Sequence, residues 1–256
     1  MFKIEMFKIL RKKEFVIIAC TLIMPIAFAL LFAFAPGFII QYPFGGLVPR
    51  LPFAVTTMGF FSTFGIYGIL FGILSTTLIS GEIASHYTLL YFPRLTSRKR
   101  MFSAKLNALA LTAFVWFVLF SIVSLLSYSL VTLGPKGVTS GAFTDESTLY
   151  WVMNLICMLF DLLFYVSVIS FLGLYLSPMV NILVSLVVVY GSTFLYSVPI
   201  LGYLLPAFYQ KSAMDQVNLQ NYSGLIWMTV GCVLVSSAYF AAAHIFGRKK
   251  ISKLEL

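Results

Sequence analysis

Apolar residues along this chain gather into six long runs, over about residues 15–35, 53–80, 106–133, 149–176, 180–198 and 222–247, and five of these carry no Asp, Glu, Lys or Arg. A helix needs about 20 apolar residues to cross the ~30 Å hydrocarbon core of a bilayer. The runs therefore predict an all-α integral membrane protein, one transmembrane domain over residues 1–256 with six transmembrane helices. Pro25 lies inside the first run and predicts a kink there, because proline removes a helix hydrogen bond.

The segments between the runs are patterned too. Residues 1–14 set Phe2, Met6, Phe7, Ile9 and Leu10 along one side of a helix and Glu5, Lys8, Arg11 and Lys12 largely along the other. That is the pattern of an amphipathic helix lying in a membrane interface, and its basic residues also serve as an anchor. The segment from Ile79 to Lys105, ISGEIASHYTLLYFPRLTSRKRMFSAK, joins the second and third runs. In it Ile83, Tyr87, Leu90 and Tyr91 recur at helical spacing, Glu82 sits in the first turn, and Pro93 ends the helix. A short helix along the membrane surface, followed by a basic turn, suits the docking of a soluble protein. Between the fifth and sixth runs, Pro199, Gly202 and Pro206 break an apolar segment too short to cross alone. A re-entrant hairpin and a lipid-facing loop both fit it, and Tyr203, Phe208 and Tyr209 suit an interfacial position.

Charge sets the orientation. With 61% hydrophobic and 10% charged residues and a mean hydropathy of +0.99, no water-soluble domain fits. The net charge of +9 comes from residues flanking apolar runs, which marks topology anchors rather than a nucleic-acid surface. Fourteen Lys and Arg fall on the amino terminus, the loop 81–105 and the carboxyl tail, against Arg50, Lys136 and Lys211 on the other side. Basic loops stay inside, so a cell-membrane protein with both termini cytoplasmic is expected. The first run resembles a signal peptide ending at Ala33-Phe34-Ala35 but exceeds the usual core of about 7 to 15 residues.

A few residues carry candidate chemistry. Asp161 lies near the middle of the fourth run, where a carboxylate is costly and must face protein or a water-filled cavity with a partner. It can contact a cationic substrate, move a proton, or be a hydrogen-bonded structural group. Gly65, Gly68, Gly72 and Thr76 include small residues at four-residue spacing, which let helix backbones approach closely within one subunit or across a dimer. Cys20, Cys157 and Cys232 lie inside apolar runs and read as small core residues. His86 and His244 lack neighbouring ligands in sequence, so no metal site is expected. Gly134-Pro-Lys-Gly lacks the order of a phosphate-cradling loop, and no Walker A pattern occurs in the chain.

Glu82, Thr88, Leu89, Leu90, Pro93, Ser97, Arg98 and Lys105 fall where ABC-2 type transporter permeases carry a glutamate, a Gly-Thr, leucines, a Pro-x-x-Ser-Arg-like turn and a lysine. This chain has Tyr87-Thr88 at the Gly-Thr. The order of spans around the motif also resembles the family. The resemblance implies an elbow helix over residues 1–14, a coupling loop over 81–105 and a re-entrant segment before the last span. It also implies a permease working as a homo- or heterodimer with two copies of an ABC ATP-binding subunit. Glu82, His86, Tyr87 and Arg94 would then couple to that subunit, while Ser97, Arg98 and Lys105 set the return into the membrane. ATP and Mg would be held by the partner, with no cofactor and no covalent chemistry in this chain. Export of a peptide, drug or lipid-like cargo is the implied activity. The alternative is an ion- or proton-coupled carrier or channel that uses Asp161 without ATP. A lipid-modifying enzyme finds no paired carboxylates, His cluster or Ser/His arrangement at catalytic spacing.

Overall fold

The computed structural model describes residues 1–34, 48–85, 98–131, 133, 142–144, 147–198, 200–218 and 221–252. Its elements are α1 (Phe2–Leu10), α2 (Lys13–Cys20), α3 (Met24–Phe34), α4 (Arg50–Thr63), α5 (Ile66–Leu78), α6 (Ser80–Ala84), α7 (Arg98–Val131), α8 (Thr148–Leu172), α9 (Pro178–Leu195), α10 (Pro206–Asn218) and α11 (Tyr222–Ile251). Six segments are long and apolar enough to cross a membrane: Lys13–Phe34, Ile66–Ala84, Arg100–Val131, Thr148–Leu172, Pro178–Leu195 and Tyr222–Ile251.

The first span is α2 and α3 joined by a 3-10 turn over Thr21–Ile23. Pro25 has no N–H to give the carbonyl four residues earlier, so the helix tightens just before it. Trp116 of α7 braces this break, its Nε1 donating to the Ile18 carbonyl at 3.2 Å and to Thr21 Oγ1 at 3.0 Å.

The second run differs from the single span expected over 53–80. It is cut at Gly65, whose φ of 63° lies in the left-handed region, which glycine adopts without a Cβ penalty. The part before the cut, α4, is largely buried against α7 and α8. The part after it, α5 continued by α6, is the spanning segment.

The central helix is α8, which packs against α4, α5, α7, α9, α10 and α11. Tyr67 and Phe71 of α5 meet Trp116 of α7 in tilted and edge-on contacts with centroids 6.5 and 5.6 Å apart, geometry that suits the aromatic quadrupole. At the rim, Met179, Val187 and Phe194 of α9 and Trp227 and Leu234 of α11 are exposed. Apolar exposure of that extent suits a lipid surround.

The amino-terminal helix α1 and the end of α11 lie at one end of the bundle. Arg248 Nε of α11 donates to Ser103 Oγ of α7 at 2.5 Å, and α1 packs against α7. The opposite end receives α10, which packs along α11 and α8. Tyr209 fits over Gly231, Gln216 over Gly224, and the chain reverses between them at Asn221, whose Oδ1 caps α11 through the Gly224 N–H at 3.0 Å. Cys157 and Cys232 are buried as expected, but Cys20 is on the exposed side of α2, since an apolar run surrounded by lipid has no need to turn a small thiol inward.

Candidate functional site

Among the described residues, polar and charged side chains line a cavity at each of two places in this apolar bundle. The first lies at the terminal end, where α1, α6 and the start of α7 converge. Lys105 Nζ, on a side chain only 3% exposed, reaches Glu5 Oε2 at 2.9 Å and Glu82 Oε2 at 2.5 Å. Lys8 Nζ lies 3.4 Å from Glu5 Oε1 and from Glu82 Oε2. Burial alone would lower the Lys8 pKa, but the charges and hydrogen bonds of Glu5 and Glu82 outweigh it and hold the value above the ordinary 10.5. Lys12 donates to the Thr77 carbonyl at 3.0 Å. Its pKa is lowered, first by burial and then by the like charges of Lys105 and Lys8, against the opposing pull of Glu14 and Glu82. A cavity of about 400 Å³ opens beside these groups, lined by Lys8, Lys12, Thr76, Glu82, Pro178 and Ile182 among others.

This arrangement ties the amino-terminal helix to both flanks of the loop between the second and third spans. Glu82 spends its carboxylate on Lys8 and Lys105 of its own chain. Lys105 is a buried hub. His86, Tyr87 and Arg94 lie outside the described residues, as do Thr88, Leu89, Leu90, Pro93 and Ser97.

The second site lies around Asp161, halfway along α8 and 3% exposed. Asp161 Oδ2 accepts from Tyr67 Oη at 3.0 Å, and Tyr67 Oη lies 2.7 Å from Ser62 Oγ. Asp161 Oδ1 is buried and meets no hydrogen-bond donor among the described residues. The partners of this buried carboxylate are therefore tyrosines: Tyr67 bonds one oxygen directly, and the Tyr165 hydroxyl also interacts with the group. Beside it, a cavity of about 200 Å³ is lined by Ser62, Tyr150, Asn154, Asp161, Gln210 and Lys211 among others. Gln210 Nε2 donates to Asn154 Oδ1 at 3.3 Å, and Asn154 Nδ2 to Tyr150 Oη at 3.2 Å. Tyr165 Oη closes one wall with Ser192 Oγ at 2.7 Å. Lys211 holds its ammonium 3.8 Å from the centroid of the Tyr196 ring.

The small residues of the second run serve packing inside the chain. A Cβ on Gly68 would meet Tyr165 and Val189, one on Gly72 would meet Ile169 and Ser185, and one on Gly65 would meet Val189. Thr76 accepts from Asn181 Nδ2 at 2.8 Å, so the stripe faces α8 and α9.

Tyr67, Ser62, Tyr150, Asn154, Tyr165 and Gln210 were not singled out by the sequence. A signal was present for three of them, since Tyr150, Asn154, Asp161 and Tyr165 recur at intervals of whole helical turns in an otherwise apolar helix. Tyr67 and Gln210 come from other elements and carry no such mark. No protein-family model matches the chain, and no curated protein matches it.

Proposed function

We propose that this chain is the permease subunit of an ATP-driven transporter of the ABC-2 type, moving a peptide, drug or lipid-like cargo across the cell membrane. The observation that carries the reading is the buried junction of Glu5, Lys105 and Glu82. It joins an amphipathic amino-terminal helix to both sides of a basic loop flanked by membrane-spanning helices. A loop so tied can pass a push into two spans at once.

In this reading residues 1–14 are the elbow helix and 81–105 the coupling loop, with both termini cytoplasmic on the strength of the Lys and Arg distribution. The α10 segment, whose Tyr209 and Gln210 reach inward to Gly231 and Asn154, is the re-entrant element. His86, Tyr87 and Arg94 would meet the ATP-binding subunit, two copies of which would hold ATP and Mg beneath a homo- or heterodimer of permeases. Glu82 acts one step behind them, passing force through Lys105 into α7 and directly into α5. At the far end of α5, Tyr67 touches Asp161, which links the driven end of the helix to a polar cavity.

The test is to purify the tagged protein from its native membrane in mild detergent and identify what accompanies it. The expected result is a stoichiometric soluble partner carrying a Walker A motif, whose ATP hydrolysis uncouples or whose binding weakens in Glu82→Ala. A chain that purifies alone and transports in liposomes without ATP overturns the reading. That outcome would favour an ion- or proton-coupled carrier, for which the half-satisfied Asp161 beside a cavity is the specific support.

A further inference from the structure

The Asp161 cavity carries one charge of each sign among hydroxyl and amide side chains. Asp161 is buried with an unpartnered oxygen, and such an oxygen costs free energy unless something donates to it. Lys211 lines the same cavity from its exposed edge. Along α8, Asp161 is two helical turns, about 10 Å, from Asn154, and Asn154 is bonded to Gln210, the residue before Lys211. The two charges thus sit at different depths, carboxylate deep and ammonium near the opening. A lone cation entering this space would meet Lys211 first, and a lone anion would end against Asp161. An apolar ligand would leave the buried Asp161 carboxylate without a charged partner. A molecule with an ammonium at one end and an anion at the other complements both charges. The space, about 200 Å³, exceeds the ~150 Å³ cavity known to hold one benzene, so a ligand of some six to nine non-hydrogen atoms fits.

We propose that this cavity binds a small aminocarboxylate zwitterion, its ammonium donating to Asp161 and its carboxylate turned toward Lys211, with Asn154, Gln210 and Tyr150 lining its length. The site serves equally under either account of what drives transport. Its test needs only this chain, and is therefore separate from the search for an ATP-hydrolysing partner.

The experiment measures equilibrium binding of 4-aminobutanoate and 5-aminopentanoate to the purified chain in lipid nanodiscs, with butylammonium and butanoate as one-charge analogues. The expected result is saturable binding of at least one aminocarboxylate, with both analogues weaker by roughly tenfold or more, the loss of one charge-assisted hydrogen bond. Asp161→Asn and Lys211→Gln should each weaken it by a similar factor. Lys211 is exposed, so its variant folds and remains informative even if the Asp161 variant does not. Absence of aminocarboxylate binding at millimolar concentration overturns the proposal. So does butylammonium binding as tightly as 4-aminobutanoate, or an affinity unchanged in Lys211→Gln.

Discussion

Replacing Lys105 by methionine should be among the most damaging single changes in this protein. The substitution keeps the unbranched stem and removes only the ammonium. Glu5 Oε2 and Glu82 Oε2 flank that nitrogen at 2.9 and 2.5 Å, so the two oxygens lie no farther apart than the sum of those distances. Two bare carboxylates at that spacing repel by about 3 kcal/mol at an effective dielectric near 20. Lys8, at 3.4 Å from each glutamate, offsets part of this, while two charge-assisted hydrogen bonds are lost outright. The net cost should be about 3 to 5 kcal/mol, the range for removing one partner of a buried pair. For a chain of this size that lowers the unfolding midpoint by roughly 10 °C. Thermal unfolding of the detergent-purified variant reads this directly. The triple variant E5Q/E82Q/K105M removes the repelling carboxylates and leaves only Lys8, 27% exposed, without its partners, so it should recover part of the loss, because a buried ion pair replaced entire is often neutral. A Lys105→Met midpoint within about 2 °C of the native one, a shift worth under about 1 kcal/mol, would refute the buried junction. So would a triple variant less stable than the single.

Other substitutions report on the same architecture. Gly65→Ala should cost about 2 kcal/mol by unfolding, since it forces a Cβ into a left-handed residue and against Val189. Gly191→Ala, with nothing within 4 Å of the added carbon and a position inside α9, should instead stabilise by up to about 1 kcal/mol. Trp116→Phe should cost about 1 to 2 kcal/mol by removing the donor that braces the turn before Pro25. For Lys8 the sign follows from its raised pKa. The folded state holds the proton more tightly than the unfolded chain, so the stabilisation is complete below the ordinary value of 10.5 and is lost as pH rises through the folded one. The stability gap between wild type and Lys8→Gln should therefore be constant near neutral pH and close in strongly alkaline buffer. A gap that widens there would reverse the assignment.

Six helices long and apolar enough to cross a membrane were legible in the sequence because lipid imposes length and apolarity on each span independently of its neighbours. The ends of α8 and α11 fall within a few residues of the runs that predict them. The second run failed at Gly65 for a local reason. Glycine is compatible with a continuous helix and with a left-handed turn, and only the packing of Val189 against it distinguishes the two. The partition of the ion pairs was hidden for a different reason. The sequence places Glu5, Glu82 and Lys105 near membrane boundaries, but which carboxylate meets which amine depends on how three separate elements are arranged around one another.

Asp161 shows where such a reading stops. The cost of a carboxylate within a bilayer dictates that it faces protein and has a partner, and the structure supplies Tyr67 at 3.0 Å. Helical periodicity also puts Tyr150, Asn154 and Tyr165 on the same side of α8. It does not say whether the space before that face is filled or hollow. That is decided by α10, which begins at Pro206, 45 residues beyond Asp161, and whose Gln210 meets Asn154 while Lys211 leans over Tyr196. A bulkier apolar residue at position 207 or 210 would fill the space while leaving every span intact. The hollow is thus a property of side-chain volumes on a short segment, to which the hydropathy that defines the six runs is blind.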